Sequence, residues 1–348
     1  MDFDITPEKR ASIGAFMKRQ LLSKPPAPSS SKTDLTGATA IVTGSNVGIG
    51  FEGSRQLLDL GLSKLILAVR SESKGKDAKA DLERGFKASK SGKTPVIEVW
   101  QLDLSSYDSI TAFAERTKSL EKLDIFVHNA GVMRVKFELN KTTGHEETVQ
   151  VNYLSTALLT ILLLPILKEK NTPETPGRLV IVNSDTAAWA KFKERDSVPL
   201  LATLDKPENF DPAQERYFMS KLLGQLFLSQ LAIRVPSSVA IVNCVNPGLC
   251  YGSGLNRDAA GVAGAVFGIF KRVVGYPIVV GARSVTDAAV NHGAKSHGQY
   301  VEDGKVQPMA PIVYNAEGKR VAERLWIETM EELAFAHAAE VVQGLTLA

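Results

Sequence analysis

The chain is poor in cysteine, in net charge and in long apolar runs, and each scarcity closes off a class of protein. Cys244 and Cys250 are the two cysteines in 348 residues. Two thiols build no disulfide framework, so the expectation is a reducing compartment with both thiols buried or idle. A formal net charge of +3 is too weak to argue for nucleic acid or a strongly acidic partner. No His/Cys spacing suggests a metal, and Cys250, His292 and His297 are assigned no chemistry. The most apolar run, Tyr153 to Leu167, contains Ser155, Thr156, Thr160 and Pro165. It is short for a membrane span and reads as a buried core helix. The opening Met1-Asp2-Phe3-Asp4 is acidic and charges recur through Lys18. No secretory signal is therefore expected, and the location expected is cytoplasmic. Asn140-Lys141-Thr142 fits a glycosylation sequon but, without a signal, reads as chance.

What is present is the composition of an ordinary globular chain, 44% hydrophobic and 23% charged. The length suits one large α/β domain with extensions. Residues 1–36 read as a helix and a linker. Thr6 is a cap, Pro7 suits the first helical position and Glu8 the first turn. Ile13, Phe16, Met17 and Leu21 follow at helical spacing, and then the Pro/Ser-rich run 23–31. The helix is short and has few basic residues, so packing on the body is favoured over anchoring at a membrane surface.

Residues 37–348 read as a single domain. Strands are expected at Ala40–Thr43, Lys64–Val69, Val96–Leu102, Asp124–Val127, Arg178–Asn183 and Val239–Val245. Helices are expected near Gly50–Leu60, Lys74–Ser89, Ser106–Ser119, His145–Lys168 and Tyr217–Val235. Apolar strands alternating with helices predict a parallel sheet covered on both faces. Right-handed crossovers make this a doubly wound Rossmann fold of about seven strands. From about Gly281 a helix, a last strand at Gly298–Val301 and a helix near Glu317–Ala339 complete the chain.

The first strand runs into Thr43-Gly44-Ser45-Asn46-Val47-Gly48-Ile49-Gly50, which opens a helix. Glycine at 44, 48 and 50 leaves room for a pyrophosphate, and the helix N-terminus attracts an anion. A fold selective for NAD usually carries an acid at the end of the second strand to grip the ribose 2′-hydroxyl. Here Arg70 stands there, followed by Ser71 and Lys74, which suits a 2′-phosphate and hence NADP(H).

Tyr217 and Lys221 are four apart and share a helix face. Ser184 ends the fifth strand, at the carboxyl edge where doubly wound sheets bind ligands. Glycine turn, serine and tyrosine–lysine pair therefore converge on one crevice.

In this order the motifs resemble the short-chain dehydrogenase/reductase family, from about Asp34 to Val301. The resemblance includes the glycine turn, Asp103 after the third strand, and Asn129-Ala130-Gly131 after the fourth. It continues with Asn152 in the long helix, Ser184, Tyr217 with Lys221, and Asn246-Pro247-Gly248. The wide first glycine gap resembles the single-domain branch. The resemblance implies that Tyr217 is the general acid in reduction and the base in oxidation. Lys221 and the oxidised nicotinamide would lower its pKa, and Lys221 would hold the nicotinamide ribose. Ser184 would orient the substrate oxygen, and Asn152 would hold a water linking Lys221 to solvent. Asp103 and Leu104 would lie at the adenine; Asn129, Ala130, Gly131, Pro247 and Gly248 would line the cofactor.

Ser184 and Tyr217 stand 33 positions apart, against about a dozen in short members of the family. The intervening 185–216 carries Trp189, Phe192 and Phe210 and, with the N-terminal helix, resembles the retinol-dehydrogenase-like subgroup with its fungal relatives. The substrate pocket is expected from 185–216 and from 249–280. The latter segment offers Leu249, Cys250, Tyr251, Leu255, Val262, Val266, Phe267 and Phe270. Such walls suit a lipophilic or aromatic carbonyl or alcohol. Three functions stay open: a soluble NADPH-dependent carbonyl reductase of secondary metabolism, a membrane-associated dehydrogenase of retinoid or lipid alcohols, and a non-catalytic NADP(H)-binding module. Relatives often form homodimers through the helices near 145–168 and 217–235, a face the N-terminus would cover or extend.

Overall fold

The computed structural model describes residues 3–86, 94–210, 213–256 and 261–346. Eight strands form the main sheet: β1 (Thr39–Thr43), β2 (Lys64–Val69), β3 (Val96–Gln101), β4 (Ile125–His128), β5 (Gly177–Val182), β6 (Ala240–Val245), β9 (Tyr300–Glu302) and β10 (Lys305–Gln307). A small parallel pair, β7 (Cys250–Tyr251) and β8 (Tyr276–Pro277), lies apart from it. The sheet order is β10-β9-β6-β5-β4-β1-β2-β3. Strands β1–β6 and β9 run parallel, as expected, and β10 adds an antiparallel edge. Sequence reading missed β10 because a three-residue strand leaves too little alternation to detect.

Side chains alternate between the two faces. Along β1, Ile41 faces one apolar cluster while Ala40 and Val42 face the other. The second cluster lies under α3 (Gly48–Asp59), α4 (Glu72–Gly85) and α11 (Ile278–Val290). The first lies under α5 (Tyr107–Thr117), α7 (Ser155–Lys170) and α9 (Ala213–Ala232). The apolar run expected to be core is the helix Glu147–Lys170, long and apolar enough to cross a membrane; 89% of that window is buried in the protein. It begins as α6 (Glu147–Val149), passes through a π turn at Gln150–Leu154 and continues as α7. Asn152 sits in that π turn, a local irregularity frequent at functional sites.

Helix ends follow side-chain chemistry. Ser71 and Ser106 cap α4 and α5 by accepting from Lys74 N–H and Ser109 N–H. Helix α4 ends at Gly85, so the expected extension to Ser89 lies outside the described residues. The expected N-terminal helix is two, α1 (Pro7–Ala11) and α2 (Ile13–Leu22). Ser12 breaks them, taking an extended backbone and capping α2. The expected C-terminal helix is also two, α12 (Ala316–Glu332) and α13 (Ala338–Thr346). His337 separates them with a left-handed φ of 52°. Helix α9 begins four residues before Tyr217, so the tyrosine lies in its second turn.

Two extensions close over the sheet. The C-terminal pair covers α7 and α9: Trp326 stacks on Phe227 at 5.6 Å, and Thr329 shares a 2.5 Å hydrogen bond with Tyr153. The expected dimer face is thus covered by the chain's own C-terminus rather than its N-terminus. Within the 185–216 insertion, α8 (Leu200–Leu204) presents the N–H groups of Leu200 and Leu201 to the Glu328 carboxylate of α12, at 2.7 and 2.8 Å. The N-terminal pair packs on the other end. Arg10 is buried against Glu302 at 2.9 Å, and its guanidinium lies 4.3 Å from the centre of the Tyr300 ring. Packing on the body, as favoured from sequence, is what the helix does.

Candidate active site

Strand order reverses between β1 and β4, so the loops beyond their carboxyl ends part to form a crevice. A cavity of about 640 Å³ fills it. Gly44, Asn46, Val47, Gly48 and Ile49 line one side, with Asn129, Ala130, Gly131, Pro247 and Gly248 around them. Ser184, Tyr217 and Lys221 line the same cavity.

The glycines do different jobs. Gly44 and Gly48 have φ of 62° and 65°, conformations an L side chain rarely adopts. A Cβ on Gly44 would also press on Ala130 at 3.0 Å. Gly50 has no place in the cavity lining; a Cβ there would strike Asn129 Nδ2 at 2.3 Å and Gly44 O at 2.8 Å. Its lack of a side chain lets α3 pack closely against the loops after β1 and β4. Ser45 likewise turns inward, donating to Val42 O at 2.8 Å. Thr43 Oγ1 accepts from the N–H groups of Asn129 and Ala130, and Asn129 Nδ2 donates to Thr43 O. These bonds tie the β1 and β4 loops together. No side chain caps α3 at Val47, so its first N–H groups face the crevice free to meet an anion. The turn and its uncapped helix fit a dinucleotide pyrophosphate.

Besides Ser45 and Gly50, three further expected cofactor residues lie outside the cavity lining. Arg70 is exposed at the carboxyl end of β2, beside β1. Asp103 holds its own loop by accepting from Ser105 N–H at 3.0 Å, and Leu104 is core.

The reacting end is dense with satisfied polar groups. Asn183 Nδ2 donates to Lys221 O at 2.9 Å, fixing β5 to α9. Ser184 Oγ accepts from Thr186 N–H at 3.2 Å and Thr186 Oγ1 at 2.9 Å. Its contact with Asp185 Oδ1 is at the 3.5 Å limit, so the hydroxyl proton remains available to a ligand. Lys221 Nζ donates to Val182 O at 3.0 Å and stands 5.7 Å from the centre of the Tyr217 ring. Burial lowers the Lys221 ammonium to about 8. Burial, and then Asp185, push the Tyr217 phenol up. The lowering expected from Lys221 and the oxidised nicotinamide belongs to the cofactor complex.

Asn152 is tied into the loop after β4. Its Oδ1 accepts from Val132 N–H at 2.8 Å, and its Nδ2 donates to Val132 O at 2.8 Å and Ser220 Oγ at 3.0 Å. The amide bolts the loop after β4 to α9. The π turn aims it there.

The apolar walls come from three segments. Trp189 and Phe218 lie beside the catalytic end; Leu249, Cys250, Leu255, Phe267 and Phe270 come from 249–280. Ile13, Phe16 and Met17 of α2 form the third wall, which sequence reading missed. Their apolar spacing was visible, but nothing in it said against what they pack. Phe192 and Phe210, expected at the pocket, are buried elsewhere. Val266, expected to face the pocket, points outward at 60% exposure on α10 (Gly261–Val274), and Tyr251 is not part of the lining. The side chain of Val262 lies outside the described residues. Burial pushes the Cys250 thiol up to about 12, which keeps it a protonated wall residue.

A serine hydroxyl, a phenol and an ammonium beside a nucleotide cradle on a doubly wound sheet define a dinucleotide-dependent oxidoreductase. The comparisons carry this to a family. The profile of short chain dehydrogenases matches residues 38–193. The chain is 48% identical over 350 residues to the short-chain dehydrogenase fogG of Aspergillus ruber, covering 99% of each. It is 43% identical to the short chain dehydrogenase/reductase mfmJ of Annulohypoxylon moriforme, over 95% of this chain and 94% of that one. An uncharacterised protein from Mycobacterium paratuberculosis shares the fold, with a TM-score of 0.62 at 22% identity, over 89% of this chain and 98% of that one. The chain belongs to the short-chain dehydrogenase/reductase family, whose enzymes use nicotinamide dinucleotides.

Proposed function

We propose that this enzyme is an NADP(H)-dependent carbonyl reductase, interconverting a ketone or aldehyde and an alcohol on a lipophilic or aromatic small molecule. One observation carries the reading: Ser184, Tyr217 and Lys221 line a cavity whose remaining walls are largely aromatic and aliphatic. The cofactor, when bound at 44–49, 129–131 and 247–248, supplies or accepts the hydride. Ser184 donates a hydrogen bond to the substrate oxygen and holds it beside Tyr217. Tyr217 delivers the proton to that oxygen in reduction and removes it in oxidation. Lys221, still mostly protonated at neutral pH, stabilises negative charge on the phenol. Burial and Asp185 favour the protonated phenol, the form that donates in reduction.

Arg70, with no acid at the end of β2, supports NADP(H) over NAD(H). The 33-residue spacing of Ser184 and Tyr217 supports a place in the retinol-dehydrogenase-like subgroup. The fungal relatives support a role in secondary metabolism, and two buried free thiols suit the cytoplasm. Fluorescence titration with NADPH and NADH tests the cofactor. Tighter NADPH binding, weakened by Arg70→Asp, is expected; equal or tighter NADH binding overturns it.

A second reading, a membrane-associated dehydrogenase of lipid alcohols, has one observation in its favour. Val266, Ile269, Phe270 and Val273 lie at helical spacing on α10 and are exposed, as are Leu21 and Leu22 at the end of α2. Flotation with phosphatidylserine-containing vesicles, lost in a V266S/I269S/V273S variant, would favour it. A chain that stays with the soluble fraction would sink it.

A further inference from the structure

Helix α2 stands between the two segments that the family uses for substrate. On one side Trp189 Nε1 donates to Ala11 O at 2.8 Å, at the junction of α1 and α2. On the other, Gln20 Nε2 donates to Leu249 O at 3.1 Å and Val274 O at 3.3 Å, while its Oε1 accepts from Leu249 N–H at 3.0 Å. A Cβ on Gly248 would meet Gln20 Oε1 at 2.6 Å, so the loop after β6 is shaped around this side chain. Arg19 pairs with Asp185 at 3.1 Å and with Glu302 at 3.1 Å, and Tyr276 OH donates to Arg19 O at 2.7 Å. These bonds anchor the helix to both substrate segments and to the end of the sheet, which holds Phe16 and Met17 in place.

That face points into the cavity. Phe16 meets Trp189 edge to face at 5.2 Å; Trp189 meets Phe218 at 6.0 Å; Phe218 meets Tyr217 at 6.4 Å. An unbroken aromatic series thus leads from α2 to the phenol that handles the proton. Phe267 and Phe270 of α10 line the cavity as well and stack on each other at 6.2 Å. Edge-to-face aromatic walls favour flat ring systems over flexible or charged ones.

We propose that Phe16 and Met17 of the N-terminal helix are specificity-determining residues, binding the ring-bearing body of an aromatic carbonyl substrate whose oxygen lies at Ser184 and Tyr217. This rests on the reductase reading above. Removing a contact made by the body of the substrate, remote from the reacting carbon, raises KM before it lowers kcat. Discrimination is lost selectively, since a small substrate never reaches α2.

The test compares 2-naphthaldehyde with propanal in the full-length enzyme. Phe16→Ala and Met17→Ala are expected to raise KM for 2-naphthaldehyde about tenfold, with kcat/KM for propanal and NADPH affinity changed less than twofold. Phe16→Trp, which fills rather than empties the wall, is expected to exclude 2-naphthaldehyde without loss of thermal stability. Equal losses on both aldehydes, or no change on either, would overturn the proposal. A readout without turnover separates it from the reductase reading. 2-Naphthaldehyde added with NADP+, which has no hydride to give, is expected to quench Trp189 fluorescence, identified by Trp189→Phe, with binding about tenfold weaker in Phe16→Ala. Unchanged binding in Phe16→Ala would overturn the wall even where no aldehyde is reduced.

Discussion

Arg19 of α2 and Asp185, the residue that follows Ser184, are 166 positions apart in sequence and 3.1 Å apart in space. Burial and Glu302 push the Asp185 carboxyl up, and Arg19 and Arg10 pull it back. Removing one partner of such a pair leaves a buried charge uncompensated. Arg19→Met is expected to cost about 3 kcal/mol in urea unfolding, and Arg19→Met with Asp185→Leu is expected to recover much of it. A single variant as stable as the parent would contradict the pairing.

His145 joins the insertion to the C-terminal extension through Asp205 at 2.8 Å and Glu332 at 3.1 Å. Burial opposes its charge, but the hydrogen bonds to both carboxylates prevail and raise the imidazole from 6.5 to about 9. A raised folded pKa stabilises fully below 6.5 and loses that contribution as pH climbs through about 9. His145→Gln is expected to lose about 2 kcal/mol at about pH 6 and little at about pH 10. Thermal melts across pH read it, and a pH-independent loss would contradict the assignment.

Ser184→Ala removes the hydroxyl proton that Thr186 and the distant Asp185 leave available. The expected loss is about 100-fold in kcat, with NADPH binding unchanged. Asn152→Ala is expected to behave differently. It frees the loop at Val132 from Ser220, so both cofactor affinity and melting temperature should fall. Loss of kcat alone in Asn152→Ala would contradict the anchoring role.

Trp326 on Phe227 and Thr329 on Tyr153 occupy the face that the family resemblance offers for pairing. Association through α7 and α9 therefore requires α12 and α13 to leave. Sedimentation is expected to give no dimer through this face, and cross-links between α7 or α9 of two copies would contradict that.

The parallel sheet was legible because its strands are short, apolar and separated by capped helices. Ile41 against Ala40 and Val42 shows the two-faced burial that the run implies. Ser184, Tyr217 and Lys221 were legible because strand ends and helix faces fix them locally. Phe16 and Met17 were not, since their role depends on a contact with Trp189 made across the whole chain. The inward bond of Ser45 and the close packing at Gly50 were illegible for a related reason: a glycine or serine in a turn looks alike whether it faces a ligand or packs against a neighbouring loop. Asp185, which acts on the Tyr217 phenol and is held by its bond to Arg19, was invisible to spacing.

The most direct measurement is single-turnover NADPH oxidation by Tyr217→Phe with an aromatic aldehyde the parent reduces, alongside NADPH binding. The account predicts normal binding and a rate lower by about 1,000-fold. A variant that binds NADPH and oxidises it at the parent's rate would contradict the assignment of the proton to Tyr217.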